Sequence, residues 1–90
     1  MFSKMKLVLN KNYGGFSLPR EYCYLCERNP YDYDDADRCD PLLITIVEMG
    51  CEKPDLKVVE IPDEATDYEI NEYDGFESVI YVVDGKLHHE

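Results

Sequence analysis

The sequence predicts a single small α+β domain spanning residues 1–90, with elements in the order β-α-α-β-β-β. Three observations predict this class: an alternating apolar segment at the start, two segments with helical spacing of apolar residues, and Asp-Gly turn signals between β-rich segments near the end. The expected architecture is one mostly antiparallel sheet with both helices packed on one face.

The first predicted strand runs into a pair of glycines. Met5, Leu7 and Leu9 recur at every second position, which is the period of a half-buried strand. We expect the strand to stop at Gly14 and Gly15, because glycine adopts a positive φ without a steric clash.

The first predicted helix follows the glycine pair. Ser17 is expected to cap it, and Pro19 is tolerated in its first turn. The helix is not expected to pass far beyond Arg28, because Asn29 precedes a proline. The side chains expected to face the sheet are Leu18, Tyr22, Leu25 and Cys26.

The second predicted helix has clear start and stop signals. Asp40 is expected at its N-cap and Pro41 at its first position, and Gly50 suits the residue that follows the last turn. Residues 31–37, between the two helices, are expected to form a polar acidic loop. The expected buried face of the second helix consists of Leu42, Leu43, Ile46 and Val47.

The remaining predicted strands lie in the second half of the chain. Residues 56–61 carry apolar side chains on both faces and are expected to form the central strand of the sheet. Asp74-Gly75 is expected to form a tight hairpin turn, and Asp84-Gly85 is a second possible hairpin. Further strands are expected at residues 68–71 and 76–83, and the second hairpin could fold residues 86–89 back along the last strand.

The glycine turn is a candidate binding site. Backbone N–H groups of Gly14, Gly15, Phe16 and Ser17 could cradle a phosphate, although the spacing fits neither a P-loop nor a dinucleotide fingerprint. A plain tight turn explains the same glycines. Tyr13 and Phe16, which flank the turn, could stack on a base or could belong to the core.

Arg38 is a second candidate, because it lies just before the second helix in a chain with few basic residues. The planar guanidinium suits a phosphate or a carboxylate. An internal ion pair with a neighbouring acid explains the same residue equally well.

The sequence predicts no metal, no cofactor and no catalytic activity. Cys23 and Cys26 form a C-x-x-C pair, but the pair lies inside a predicted helix, so buried free thiols are expected for these and for the other two cysteines. The acidic loop does not match the spacing of a calcium-binding loop. The only histidines, His88 and His89, lie at a tail expected to fray and outside any recognisable catalytic motif.

The net charge is −11, from 20 Asp and Glu against 9 Lys and Arg. Such a field repels nucleic acid and anionic membranes, attracts a basic protein surface and can imitate a row of phosphates. No apolar run reaches the roughly 18 residues of a membrane span, so no membrane partner is expected.

Five motifs occur in one order across residues 6–80: NKxYGGFSL at 10–18, RxDPxL at 38–43, VExG at 47–50, LKVVEIPD at 56–63 and EIxEYDGxE at 69–77. Together they resemble a family of small, largely uncharacterised proteins encoded by tailed phages and prophages. The four cysteines and the tail after Val79 depart from the family's pattern. The resemblance implies a phage origin and the host cytoplasm as setting, and it brings no catalytic residue.

Two functions are expected for a protein of this kind. The first is a non-enzymatic counter-defence protein, expected as a homodimer, that binds and sequesters a nucleotide-type host immune signal, cyclic or of the ADP-ribose type. The second is an acidic nucleic-acid mimic or inhibitor that binds and blocks a basic host defence protein. The ligand-binding residues expected for the first function are Asn10, Tyr13, Gly14, Gly15, Phe16, Ser17, Arg38, Asp74 and Glu77.

Overall fold

The computed structural model describes residues 4–90 and has the predicted α+β class. The predicted element order is present, with a short 3₁₀ helix added between the two α-helices and a fourth strand of the second half at the end. In chain order the elements are β1 (Lys4–Asn10), α1 (Arg20–Cys26), the 3₁₀ helix (Asp35–Cys39), α2 (Pro41–Met49), β2 (Leu56–Pro62), β3 (Asp67–Tyr73), β4 (Phe76–Val83) and β5 (Lys86–His89).

The strands form two antiparallel sheets, so the prediction of one sheet is wrong. β1 pairs with β2, with Met5 opposite Ile61 and Asn10 opposite Leu56, and β3, β4 and β5 form a meander. Within residues 4–90, β2 pairs only with β1 and is therefore not the central strand that was expected. β2 carries apolar residues on both faces because it is buried between two layers of the molecule, not because it pairs with a strand on each side.

The β1–β2 sheet lies between the helices and the second sheet. Val8 and Leu56 belong to a core cluster shared with the helical layer. Leu7, Leu9 and Ile61 point to the opposite face and pack with the three-stranded sheet. All five side chains are almost completely buried, because each face of the sheet is covered by another layer.

The first helix starts later than predicted. α1 begins at Arg20 with the extended residue Pro19 at its N-cap, and no side chain caps it. The prediction that Ser17 caps this helix is therefore wrong: Ser17 is buried in an irregular segment before the helix, where the Leu18 N–H donates to the Pro30 carbonyl at 2.8 Å. Leu25 was predicted to face the sheet but is 61% exposed, because only one side of this two-turn helix, the side of Tyr22, reaches the core.

The second helix begins and ends where the sequence predicted. The Asp40 carboxylate accepts the Leu42 N–H at 3.0 Å, and Gly50 follows the last turn with a φ of 91°. Leu43 is fully buried, whereas Leu42 is 40% exposed, so Leu42 was wrongly placed on the buried face. Within the described residues, no helix is long and apolar enough to cross a membrane.

The acidic loop contains a 3₁₀ helix that the sequence did not predict. Asp34 caps it by accepting the Ala36 N–H, and the Asp37 carboxylate accepts the Asp34 N–H in return. Asp37 also accepts a hydrogen bond from Arg28 at 2.8 Å. The hydrogen bond from Asp34 and the ion pair with Arg28 lower the pKa of Asp37 below its usual value.

Both predicted hairpin turns are present. Asp74 and Gly75 have φ values of 51° and 89°, and Asp84 and Gly85 have values of 52° and 76°, as a two-residue turn with two positive φ angles requires. The second turn returns the chain as β5, so the two histidines lie in a strand rather than in a frayed tail. His88 stacks on Tyr81 with a centroid distance of 5.4 Å.

Candidate functional site

Arg38 and Glu77 form a buried ion pair with two parallel contacts. The Arg38 Nη1 lies 2.6 Å from Glu77 Oε1, and Nη2 lies 2.7 Å from Oε2. Both residues are at most 5% exposed. The 3₁₀ helix turns Arg38 inward from one side, and β4 supplies Glu77 from the other. This two-pronged geometry is the strongest arrangement available to an arginine and a carboxylate.

The ion pair also closes the free edge of β1. Glu77 Oε1 accepts the Asn10 N–H at 2.8 Å, and Arg38 Nη1 donates to the Val8 carbonyl at 3.1 Å. These two backbone groups point away from β2, toward the other edge of β1. In a larger sheet a third strand at that edge would form hydrogen bonds with them. The two side chains therefore replace a neighbouring strand, which explains why buried charges are retained here.

Aromatic rings complete the surroundings of Arg38. Its guanidinium carbon lies 3.6 Å from the centroid of Phe16 and 5.4 Å from that of Tyr33. The two rings meet edge to face at 4.7 Å, and the Tyr33 hydroxyl donates to the Phe16 carbonyl at 3.3 Å. Among the described residues, Arg38 Nε has no hydrogen-bond partner. Phe16 thus belongs to the core and holds the arginine by a cation–π contact.

The glycine turn packs against the first hairpin turn. A Cβ atom on Gly75 would lie 2.3 Å from the Gly15 backbone nitrogen and 2.8 Å from the Tyr13 carbonyl oxygen. The Asn10 side chain joins the same two turns, because its Nδ2 donates to the Gly75 carbonyl at 2.8 Å and to the Asn12 carbonyl at 2.7 Å. Two turns that are 60 residues apart in sequence thus form one backbone contact that only glycine permits at position 75.

Lys11 ties the end of the chain to this cluster. Its Nζ donates to the Glu77 carbonyl at 2.7 Å and forms an ion pair with Glu90. The same ammonium lies 5.2 Å from the centroid of Phe76, which in turn contacts Tyr13. The last residue of the sequence is therefore held against β1 and β4.

The structure brings most of the nine expected ligand-binding residues together but buries over half of them. The buried members are Asn10, Phe16, Ser17, Arg38 and Glu77. Tyr13, Gly14 and Asp74 are exposed, and Gly15 is half-buried. Both terminal nitrogens of Arg38 are occupied by Glu77, so the geometry supports an internal ion pair of Arg38 and not a phosphate contact.

A shallow groove of about 280 Å³ lies beside the glycine turn. Two carboxylates, Glu52 and Asp55, line it together with a single amine, Lys53. The Asp55 carboxylate accepts a hydrogen bond from the Asn12 side chain at 2.7 Å. An excess of carboxylates over amines disfavours an anionic ligand in this groove.

The four cysteines are free thiols that are partly buried in the two core clusters. Burial raises the pKa of Cys23, which lowers the fraction of reactive thiolate. Within residues 4–90, no group of three or more His, Cys, Asp or Glu side chains could hold a metal ion.

Acidic side chains dominate the surface. Of the 20 Asp and Glu residues, all but Asp37, Asp40 and Glu77 are exposed. Four of the cations, Lys6, Lys11, Arg28 and Arg38, are in ion pairs with carboxylates. The exposed surface therefore carries a negative charge that the basic residues only partly neutralise.

No protein-family model matches the chain, and no curated protein and no solved structure matches it either.

Proposed function

We propose that this chain is a non-enzymatic acidic binding protein that docks onto a basic surface of a partner protein and blocks it. The observation that carries the proposal is the burial and pairing of Arg38, which is the cation expected to bind a phosphate. Arg38 is 4% exposed and is paired with Glu77 through both terminal nitrogens. The motif residues thus serve the fold, and the exposed carboxylates remain as the groups able to bind.

Charge supports a protein partner of opposite sign. A net charge of −11 on 90 residues creates a field that attracts a basic surface over a distance of about one Debye length, ~10 Å at 0.1 M salt. The resemblance to small phage proteins makes a host defence protein in the bacterial cytoplasm the proposed target. The phage origin of the chain, its host target and its cytoplasmic setting are all parts of this proposal.

Sequestration of a nucleotide signal was the other expected function. It is disfavoured here because the groove beside the glycine turn contains more carboxylates than amines and because Arg38 is occupied. The homodimer expected with that function stays a prediction.

The proposal is tested by affinity capture. The tagged chain is immobilised, exposed to host lysate at about 50 mM salt and eluted with increasing salt, since an interface driven by charge weakens as the Debye length shortens. We expect a basic protein to elute at moderate salt and to bind again when purified. Recovery of no basic protein, or binding that salt does not affect, would contradict the proposal.

Two charge-reduced variants provide the matched control. One replaces Asp67, Glu69 and Glu72 by their amides, and the other replaces Asp32, Asp35 and Glu27. Each removes three exposed carboxylates and makes the net charge less negative by the same amount, from −11 to −8. Because steering depends on the whole field, both variants should associate with the purified partner more slowly, whereas only a variant in the contact surface should also dissociate faster.

A further inference from the structure

The three-stranded sheet has an inner face and an outer face of different surroundings. Its inner face carries Ile70, Val79 and Tyr81, which pack with Leu7 and Leu9 of β1. Side chains alternate between the two faces of a strand, so the register of β3, β4 and β5 places every second residue on the outer face. This outer face lies on the side of the sheet away from β1 and the helices.

Five of the outer side chains are apolar or aromatic, and we call them the apolar strip. Phe76, Ile80 and Val82 follow β4, while Tyr73 flanks them on β3 and Leu87 on β5. Among the described residues, none of the five is packed in either core cluster. Tyr73 is 74% exposed and Leu87 is 71% exposed. The open face of an antiparallel sheet usually carries polar side chains, so an apolar strip there marks an interaction surface.

The border of the apolar strip along β3 is acidic. Asp67 lies opposite Val82, and Glu69 lies opposite Ile80. Both carboxylates are exposed, and within residues 4–90 neither is in an ion pair. His89, on the other side of Ile80, adds no full charge at neutral pH.

Two cations lie close to the apolar strip, and neither cancels this local charge. Lys86 is the one lysine or arginine in β3, β4 and β5, and its place opposite Val83 directs its side chain to the inner face. The Lys11 ammonium lies 5.2 Å from the centroid of Phe76 but is in an ion pair with Glu90. The local charge at the apolar strip therefore has the same sign as the net charge of the chain.

We infer that the basic partner docks on this outer face through one amphipathic α-helix. Its apolar side would cover the apolar strip, and its lysine or arginine side chains would lie over Asp67 and Glu69. The inference rests on the proposed function and names the docking surface and the form of the contact. Neighbouring strands are about 4.8 Å apart, so three strands present a face about 10 Å wide, close to the diameter of one helix. A helix and a sheet pack together because each buries an apolar face.

Two other arrangements fit these observations less well. A second copy of the chain would bring Asp67 and Glu69 of two protomers into one interface, without an unpaired cation from either outer face. A groove of about 360 Å³ between α1 and α2 is also apolar and includes Leu25. Its one carboxylate, Glu21, already accepts the Glu52 N–H through both oxygens, at 3.3 and 3.0 Å, so this groove offers less to a basic segment.

The probe for this inference is a synthetic helical peptide of about 14 residues, with leucine on one side and lysine along one border of the leucine side. It is added to the full-length, ¹⁵N-labelled protein, and backbone amide shifts are followed residue by residue. We expect the largest shift changes at Glu69, Ile80, Val82 and Leu87. A peptide of the same composition in scrambled order is the control and should bind at least about tenfold more weakly, because it has no apolar side.

A pair of leucines tests the apolar part of the contact. Leu87→Gln should weaken peptide binding at least about fivefold, because it places a polar group in the apolar strip. Leu25→Gln is the matched control, since Leu25 is 61% exposed on the helical layer, and it should change binding less than about twofold. Should Leu87→Gln unfold β5, the map of amide shifts in the native chain decides the question.

Two double variants test the charged part. Asp67→Asn with Glu69→Gln should weaken peptide binding at least about threefold and reduce its dependence on salt. Asp32→Asn with Asp35→Asn removes the same charge from the acidic loop and the 3₁₀ helix, and it should change binding less than about twofold.

The outcomes separate this inference from the proposed function. Shift changes confined to the groove of Leu25, or equal binding of the scrambled peptide, would overturn the inference and leave the basic partner in place. Unchanged peptide binding by the Asp67 and Glu69 variant, together with its self-association, would assign these carboxylates to protection of the sheet edge and would also overturn it. Shifts at Leu87 that depend on protein concentration and need no peptide would identify a second copy as the occupant. Failure of both peptides to bind would overturn helix docking, and capture from lysate would then decide the proposed function by itself.

Discussion

Arg38 and Glu77, 39 residues apart in sequence, lie with both guanidinium nitrogens against both carboxylate oxygens at 2.6 and 2.7 Å, and together they close the free edge of β1. The ion pair satisfies two backbone groups that a neighbouring strand would otherwise bind. It also joins the 3₁₀ helix to the second sheet, so it connects two layers of the fold across the end of β1.

Removal of one partner of this pair should destabilise the protein strongly. Glu77→Gln leaves the Arg38 charge buried without a counterion, and we expect the free energy of unfolding to fall by about 3–5 kcal/mol. Denaturant titration measures the change. The control is Glu72→Gln, which removes an exposed carboxylate opposite Glu77 in the same hairpin and should change stability by about 0.5 kcal/mol or less. Equal effects of the two substitutions would contradict the role of the pair.

The contact between the two turns predicts a difference between two glycines. Gly75→Ala places a Cβ atom against the backbone of Gly15 at a φ of 89°, so we expect a loss of at least about 2 kcal/mol in unfolding free energy. Gly14→Ala is the matched control, because Gly14 has no heavy atom within 4 Å of such a Cβ, and its effect should be about 0.5 kcal/mol or less. If Gly75→Ala left the free energy of unfolding unchanged, the contact between the two turns would be contradicted.

The two helices should lose stability when the Tyr22 hydroxyl is removed. This hydroxyl donates to Asp40 Oδ2 at 2.6 Å, while Asp40 Oδ1 caps α2, so one carboxylate holds both helices. Tyr22→Phe removes this hydrogen bond to the Asp40 carboxylate, and we expect the free energy of unfolding to fall by about 1–2 kcal/mol. Thermal or chemical unfolding measures the change. Tyr24→Phe, at a side chain that is 83% exposed, should have no measurable effect.

Acid should weaken the cap of the 3₁₀ helix. The pKa of Asp37 is lower in the folded protein than in the unfolded chain, where an aspartate titrates near about 3.9. Its stabilising contribution is therefore complete above that pH and is lost as the pH falls through the folded pKa. Asp37→Asn should melt at a lower temperature than the native protein at pH 7, and the difference should narrow as the pH falls below the range in which a free aspartate titrates, about 3.9. Asp35→Asn, which removes an exposed carboxylate of the same 3₁₀ helix, is the control and should melt close to the native protein at pH 7.

Local signals predicted much of the fold. Asp40, Pro41 and Gly50 set the bounds of α2, and the two Asp-Gly pairs set the hairpins, because these residues act through the backbone of their own segment. The division into two sheets was not predictable from β2 alone, since burial by another layer and pairing on both edges leave the same apolar pattern in sequence.

The sequence predicted which residues lie together at the candidate site, but it did not predict what each of them contacts. Asn10, Gly15, Arg38 and Glu77 do lie together, yet the partner of Arg38 is 39 residues away and no local pattern specifies it. The sequence did not show that a glycine at position 75 is needed for the backbone of the glycine turn to approach closely, because the hairpin turn alone already accounts for Gly75. Pairings that arise from tertiary packing leave no periodic trace in a single sequence.

Native mass spectrometry of the protein captured from host cells at low salt tests the central claim most directly, because one spectrum gives the oligomeric state, any protein partner and any retained small molecule. We expect a complex of this chain with a basic protein that dissociates as salt is raised, and no bound nucleotide. A protein that carries a nucleotide of defined mass, and no protein partner, would contradict the proposed function and would point to the exposed residues Tyr13, Gly14 and Asp74 beside the glycine turn as the binding site.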